Sequence, residues 1–554
     1  MSAPKTSEHT LQLTRRQLCD LELLLDGAFA PLHSFMTQAQ YHSVVEKMCL
    51  PNGEISPIPI VLDVPEKFAA ALSVGDHITL RNQLGDALAE LNVAEWWQAD
   101  RHAEARSVYG TSDEHHPGVA YLMRHTQPVY VSGELRRVPG VHYRSFPDLH
   151  HSPQQTRELL RQMGWQHTLA FQTRNPIHRG HFEAISAAAK QHNAGILLHP
   201  VVGDSMPGDI DAYTRVRCCR EVLKHLPPAR AVLAVLPLAM RMAGPREALW
   251  HACIRKNYGA THLLVGRDHA GPGRDPTGEP YYPAFAAFEL AQQFAGRVGI
   301  TIVPAGEMVY VPARKHFVER STLNTSERYS SLSGTELRAL LSRGDTVPEW
   351  FTFPEVARIL ERSATPVSTP PFTILLTGLS AAGKSTIANA LAERLQELGQ
   401  PEPILFDGDE VRRRFSAGLG FSRQDRIENL RRVALAAAEA NSQKHSAICA
   451  LVSPYQEGRA LARQLIDPHG TFMLIHVTTP LAVCEGRDPK GLYRRARKGE
   501  VQHFTGVSDP YEEPTDADLC IDTSQESIEE SLRRVEKWLR SKKLLTEPIA
   551  EVWK

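Results

Sequence analysis

Two glycine-punctuated segments hold the residues best able to do chemistry. The run Gly378-Leu379-Ser380-Ala381-Ala382-Gly383-Lys384-Ser385-Thr386 satisfies GxxxxGK[ST], entered from the apolar stretch FTILLT and left by a helical pattern. In that context, loop N–H groups and a helix N-terminus cradle phosphate oxygens. Lys384 then reaches the β- and γ-phosphates, and the Ser385 hydroxyl is placed to ligate Mg²⁺ arriving with ATP. The second segment, QTRNPIHRGH, runs from Gln172 to His181 and opens a helix. His178 and His181 stand three apart at the helix start, so both can face one ligand. Backed by the positive helix end, such imidazoles suit ATP phosphates as charge builds on departing pyrophosphate, although a pair of capping histidines has the same spacing. Arg174 can fork onto an oxyanion. Asn175-Pro176 supplies a tight turn, and Gly180 lets the backbone approach closely. Beyond the apolar run THLLV, Gly266-Arg267-Asp268-His269-Ala270-Gly271-Pro272-Gly273 forms another Gly-rich loop. Two such loops beyond parallel strands make one anion pocket.

The elements that must position these residues follow from the hydrophobic pattern. Over 1–150, PIPIVLDV, DHITLRN and PVYVSGEL read as strands between turn clusters, which predicts a small β-rich domain without a catalytic constellation. From His167 the strands TLAFQT, GILLHPVV, ARAVLAVLPL and THLLVG alternate with helical segments such as GHFEAISAAAKQHN, which predicts a parallel α/β sheet. SGTELRALLSRG and PEVARILERS read as short helices closing that region. Residues 363–371, SATPVSTPP, are too rich in Pro, Ser and Thr for a regular element and read as a linker. Strand–loop–helix restarts at FTILLTGLSAAGKST. Further on, Arg426, Asn429 and Arg432 share one helix face, suited to an anionic acceptor or simply part of a solvated basic stripe. LVSPY is a strand running into Ser453. KGLYRRARKGEVQHFTGVSDPYEEP reads as a lid over phosphates or as a plain surface loop.

Composition bounds the partners. The chain has 554 residues, 42% hydrophobic and 23% charged, with 62 basic against 63 acidic residues for a net −1. Charge is balanced on both sides of Pro371, which argues against a nucleic-acid or membrane-surface ligand and leaves small anions. The eight cysteines show no CxxC spacing, so free thiols in a reducing compartment are expected. No apolar leader or run of spanning length is visible, which points to the cytoplasm.

GLSAAGKST, DGDEVR, LGFSRQDRIENLRR, VSPY and the KGLYRRARKG…EEP stretch resemble adenylylsulfate kinase, in order, across nearly all of 372–554. That family transfers the ATP γ-phosphate to the 3′-hydroxyl of adenosine 5′-phosphosulfate (APS). The resemblance implies that Arg412, Arg426, Asn429, Lys490 and Phe504 bind APS. Asp409 is then the candidate to orient or deprotonate the 3′-hydroxyl. Ser453 matches the family's phospho-intermediate serine, but direct in-line transfer is simpler and leaves it a positioning role. Ala381, Glu410, Gln456 and Gly458 depart from the family pattern. If the loop needs positive φ at Ala381, the cost is about 1 kcal/mol.

QTRNPIHRGH, GRDHAGPG, the MVYV at Met308 and SGTELR…PEWFTFPEV resemble ATP sulfurylase (sulfate adenylyltransferase) over most of 1–362. Sulfate there attacks the ATP α-phosphorus, giving APS and pyrophosphate. By this resemblance Gln172, Arg174 and Ala270 contact sulfate. Gln172, Thr173, Arg174, Asn175, Gly266, Arg267, Asp268, His269 and Val309 line the ATP site. Thr173, Arg174 and Asn175 form the catalytic trio, assisted by His178 and His181. The clustered Cys and His of metal-bearing relatives are missing, so no structural metal is expected.

The implied fold is α/β and multidomain. A PUA-like domain over 1–160 precedes a Rossmann-like nucleotidyltransferase domain over 161–362, whose closing subdomain starts near 310. The linker 363–371 and a P-loop kinase over 372–554 complete the chain. The implied function is bifunctional sulfate activation: APS formation followed by 3′-phosphorylation to 3′-phosphoadenylylsulfate, with a homo-oligomer (dimer or hexamer) as the expected state. Two alternatives remain at this level. The C-terminal region is a weak or regulatory kinase-like module, with the first site running toward ATP, or the adenylyl acceptor is a nucleotide or pantetheine phosphate.

Overall fold

The computed structural model describes residues 8–82, 86–139, 145–204, 209–325, 327–364, 369–408, 411 and 418–545. They fall into two compact units. One takes in 8–139 and 148–364, and the other takes in 145–147 and 369–545.

The first unit begins with β1 (Glu8–Gln12), β2 (Leu62–Val64), β3 (His77–Arg81), β4 (Ala87–Gln98) and β5 (Val129–Arg137), in the order β1-β3-β4-β5-β2. Only β1 and β3 run parallel; the other pairs are antiparallel. The run PIPIVLDV contributes only its last residues. Pro57 and Pro59 have no N–H to give a ladder, so pairing waits for Leu62, while Ile58 and Ile60 still fill the core at 1% exposure. Five helices accompany this sheet, from Arg15–Leu25 to Pro117–Arg124, so the domain is more mixed than its β-rich sequence pattern suggests.

Two buried carboxylates of this domain are paired. Asp20 on the first helix accepts two hydrogen bonds from Arg241, at 2.5 and 2.7 Å, and both side chains are buried. Glu104, also buried, accepts from the hydroxyls of Tyr41 and Tyr130 at 2.9 and 3.0 Å. Burial outweighs these donors and pushes its carboxyl up to about 6.

Next come β6 (Thr168–Phe171), β7 (Gly195–Leu198), β8 (Ala231–Leu233), β9 (His262–Val265) and β10 (Thr301–Pro304). They form an all-parallel sheet ordered β10-β9-β6-β7-β8. Strands β6, β7 and β9 are buried along their whole length, as expected with helices on both faces. A hairpin of β11 (Met308–Val311) and β12 (His316–Glu319) packs on helix Arg179–Gln191, and helices Gly334–Ser342 and Pro354–Ala364 close the region. The last of these runs two residues into the stretch that reads as linker.

The second unit holds β13 (Phe372–Thr377), β14 (Ile404–Asp407), β15 (Ala447–Ala450), β16 (Thr471–Val477) and β17 (Leu519–Ile521). They too are all parallel, ordered β14-β15-β13-β16-β17. Residues 145–147 belong to this unit. The Ser145 hydroxyl donates to Glu393 and the Phe146 N–H to Glu397, at 2.5 and 2.8 Å, on helix Lys384–Glu397.

Glu104 gives a pH-dependent contribution to stability. Its folded pKa of about 6 lies above the ordinary 4.5, so its stabilising effect is complete below pH 4.5 and fades as pH rises through 6. Relative to Glu104→Gln, wild type should therefore gain about 2 kcal/mol between pH 7 and pH 4.5. Denaturant midpoints of both proteins across that range check it; parallel curves would refute it.

Candidate active sites

In the first unit the central strand β6 delivers Gln172, Thr173, Arg174 and Asn175, and its neighbour β9 delivers Gly266, Arg267, Asp268, His269 and Ala270. Both sets line one cavity of about 580 Å³, together with His181. The Thr173 hydroxyl knots the first loop, accepting from the Asn175 N–H at 2.9 Å and donating to the Asn175 carbonyl at 2.8 Å. The second loop holds Asp268 and Ala270 at positive φ of 54°, with the Ala270 carbonyl fixed by the Gly244 N–H at 3.1 Å. Left-handed backbone at two non-glycine residues is strain of the kind that gathers at ligand-binding loops.

Arg174 is lightly held. Its guanidinium lies 3.7 Å from Asp209, 3.5 Å from the Met242 sulfur and 3.4 Å from the Gly271 carbonyl. All three are long for a charge-assisted bond, so the fork stays available to an anion. Arg267 differs: it is exposed, with its charge directed to Asp268 and Glu307 at 3.3 and 3.5 Å.

The His178 and His181 rings lie with centroids 3.8 Å apart and planes tilted by 30°, and His178 stacks on Phe351 at 4.6 Å. His178 is the N-cap of helix Arg179–Gln191 but makes no side-chain capping bond, so the capping-pair reading fails. Burial lowers both imidazoles, His178 well below the usual range and His181 to about 4. At neutral pH they are therefore uncharged rings and not cations, and the Pro176 carbonyl opposes the shift at His181. Only His181 reaches the cavity wall. A Cβ at Gly180 would stand 3.0 Å from the His178 ring and 3.5 Å from Phe317 of β12, which explains the glycine. Val309, 1% exposed in β11, lies outside the cavity lining.

In the second unit β13 runs into the loop Gly378–Gly383, and helix Lys384–Glu397 leaves it. Gly378, Ala381 and Gly383 have φ of 150°, 57° and 100°. A Cβ on Gly378 would approach the Val477 carbonyl oxygen to 2.5 Å. Ala381 thus sits in the left-handed region that its sequence position puts in question. The Ala382 carbonyl accepts from the Thr479 and Thr523 hydroxyls at 3.0 and 2.9 Å, and the Ser380 carbonyl from Tyr493 of the basic stretch at 3.0 Å. Lys384 Nζ turns back to the Leu379 carbonyl at 2.7 Å, and burial lowers it to about 8.

The Ser385 hydroxyl donates to Asp407 at the end of β14, at 2.5 Å. Asp407 escapes the sequence reading, although an acidic residue ending the strand after a P-loop helix is the available signal. Ser453 follows β15 with φ of 42°, 6% exposed, its hydroxyl without a hydrogen-bond partner among the described residues. Its carbonyl accepts from Arg459 at 2.7 Å, and Gln456 in turn accepts from Arg459 at 2.8 Å. Arg426 donates to the carbonyls of Phe421 and His503 at 3.0 and 2.5 Å. Asn429 is buried with its Oδ1 unpartnered among the described residues, and Arg432 pairs with Glu428 at 2.8 Å. Phe504 packs edge-on against Tyr493 at 4.9 Å, and the Lys490 charge reaches Lys384. Asp409, Glu410 and Arg412 lie outside the described residues.

Comparison with known proteins follows the same division. A PUA-like domain model matches residues 2–139, an ATP-sulfurylase model 147–363 and an adenylylsulphate kinase model 370–522. The sulfate adenylyltransferase of Neurospora crassa is 43% identical over 97% of this chain and 94% of its own length. That of Mycosarcoma maydis is 43% identical over 94% and 91%. Among solved structures, the hexameric APS kinase from Thiobacillus denitrificans matches 97% of this chain and 94% of its own, at 29% identity and TM-score 0.54.

The positive φ of Ala381 has a measurable consequence. Ala381→Gly removes the Cβ strain and should stabilise the second unit against unfolding by up to about 1 kcal/mol. Denaturant midpoints of the two proteins check it; an unchanged or lower midpoint would show that the loop carries no such strain.

Proposed function

The chain belongs to the sulfate adenylyltransferase family and carries an adenylylsulfate kinase domain, and from that premise we propose how its residues divide the work. The chemistry is bifunctional sulfate activation: ATP and sulfate give APS and pyrophosphate, and a second ATP phosphorylates APS at the 3′-hydroxyl.

At the first site a sulfate oxygen attacks the α-phosphorus while the bond from that phosphorus to the bridging oxygen breaks. Sulfate is already an anion, so no general base is needed. The observation that carries the assignment is the meeting of Gln172–Asn175 and Gly266–Ala270 around one cavity. Arg174, held only by long contacts among the described residues, takes the charge that builds on the phosphoryl and sulfate oxygens. Gln172 and Ala270 complete the sulfate contacts. His181, with His178 packed against it, presents an uncharged ring to the cavity that takes the ATP phosphates.

At the kinase site, Lys384 beside the Ser385–Asp407 pair supports binding of ATP phosphates. A hydroxyl and a carboxylate make an oxygen donor set suited to Mg²⁺, which would neutralise β- and γ-phosphate charge when bound. Polyphosphate would also restore the full charge of Lys384. Arg412, Arg426, Asn429, Lys490 and Phe504 hold APS, Asp409 receives the 3′-hydroxyl proton, and Ser453 positions the acceptor. A weak kinase is the second reading, favoured by the left-handed Ala381.

The anhydride product of the first site is unfavourable to accumulate, so a kinase consuming it draws the equilibrium forward by mass action. No helix among the described residues is long and apolar enough to cross a membrane. A cytoplasmic homo-oligomer is the setting we propose.

Arg174→Ala should lower sulfate-dependent pyrophosphate exchange by at least 100-fold, roughly what loss of one preorganised oxyanion donor costs. Exchange within tenfold of wild type would remove Arg174 from the reaction. With γ-labelled ATP and APS, wild type should form labelled 3′-phosphoadenylylsulfate and Lys384→Ala should not. Absence of label from wild type would leave the C-terminal domain a binding module.

A further inference from the structure

His116, with 0% exposure, lies in the stretch matched by the PUA-like model, and Tyr282 lines the cavity of the first site. His116 Nε2 stands 3.0 Å from the Tyr282 hydroxyl. Its other nitrogen caps helix Pro117–Arg124: Nδ1 accepts from the N–H groups of Gly118 and Val119 at 3.1 and 3.4 Å. Burial lowers the ring to about 4, so at neutral pH it is uncharged and carries a single N–H. With Nδ1 accepting, that proton sits on Nε2 and is donated to the Tyr282 oxygen. The Tyr282 hydroxyl in turn donates to the Tyr109 carbonyl at 3.0 Å, with the Met242 carbonyl 3.5 Å away. Burial raises this phenol, which keeps its proton.

The Tyr282 ring bears on the turns that surround Arg174. A Cβ on Gly244 would stand 2.4 Å from Tyr282 Cδ2, so the ring lies directly on that glycine, and one on Gly271 would stand 3.9 Å from the same atom. The Gly244 N–H holds the Ala270 carbonyl at 3.1 Å. Met242 and Gly244 have φ of 61° and 47°, a conformation that the packing around them must impose. That packing includes the N-terminal domain, since a Cβ on Gly118 would stand 2.5 Å from the Arg241 carbonyl oxygen. Arg174 touches these same turns, at the Met242 sulfur and the Gly271 carbonyl. Its contacts are long, so the direction of its fork follows the walls that make them.

We propose that His116 and Tyr282 are positioning residues for adenylyl transfer: a hydrogen bond from the N-terminal domain fixes the Tyr282 ring against the Gly244 and Gly271 turns, which aim Arg174. The N-terminal domain then carries no catalytic group yet is a working part of the first site. The inference rests on the reading that Arg174 takes the charge of the transition state.

The test uses the full-length enzyme and measures sulfate-dependent pyrophosphate exchange at saturating ATP and sulfate, together with KM for ATP. Tyr282→Phe, which removes only the hydroxyl, should lower the maximal rate at least tenfold and leave KM for ATP within threefold. His116→Asn keeps an acceptor for the helix cap but is too short to reach Tyr282, and should lose as much. His116→Gln sets an amide N–H near the place of Nε2 and should restore the rate to within threefold of wild type. A role confined to capping the helix gives the opposite order, Asn active and Gln impaired. That order, or a wild-type rate in Tyr282→Phe, would overturn the inference. If His116→Asn does not fold, Tyr282→Phe carries the test. In the Arg174→Ala background Tyr282→Phe should cost less than threefold further; a repeated tenfold loss would show that Tyr282 does not act through Arg174. If exchange survives Arg174→Ala, both readings fall. If Arg174→Ala removes exchange while Tyr282→Phe leaves it intact, only the positioning role falls.

Discussion

Both catalytic units depend on one constraint of parallel β-structure: every strand ends on the same edge, so the loops beyond those ends are forced together. In the first unit β6 and β9 are neighbours, and their loops supply Gln172–Asn175 and Gly266–Ala270 to a single cavity. In the second, β14, β15 and β13 are adjacent and end in Asp407, the Ser453 segment and the P-loop. Residues far apart in sequence meet because the ladder register leaves them no other place. Helix N-termini fall on the same edge, which makes it the side of the sheet where an anion is stabilised. The two units share no motif, yet each adopts this solution.

That constraint explains what could be read from the residues. A P-loop, or a strand followed by Gln172-Thr-Arg-Asn, is a local signal, because one short segment contains both the element and the chemistry. The sheet-edge geometry then follows from the alternation of strands and helices. Other features were hidden for physical reasons. β4 is twelve residues of mixed polarity with a bulge near Val93 and Glu95, so its alternation breaks halfway. Pro57 and Pro59 truncated a strand that the apolar pattern alone would prolong. Asp407 and Arg459 act only through partners brought from elsewhere, Ser385 in one case and the Ser453 carbonyl in the other. Glu247, His251 and Arg255 were the hardest to see. At helical spacing they resemble a solvated face, and only their 0% exposure reveals an internal one.

The near-zero net charge takes on meaning at the level of single groups. A site for a dianion or a polyphosphate could be built from a surplus of cations, and neither unit is. Burial keeps His178, His181, His251 and His269 neutral, and it lowers Lys384 to about 8. Arg267 is directed to carboxylates, while Arg174 remains lightly held. The sites are thus assembled from neutral donors and weakly committed cations. Such groups cost little repulsion before the ligand arrives and gain most when a phosphate or sulfate supplies the missing charge.

Neutral donors also select in a way that cations cannot. A cation attracts every anion in proportion to charge, so it separates sulfate poorly from hydrogen phosphate, which carries the same −2. A carboxamide or a neutral imidazole presents a donor or an acceptor at each of its polar atoms. Discrimination between anions of equal charge and shape must rest on such groups, because the only remaining difference is one proton.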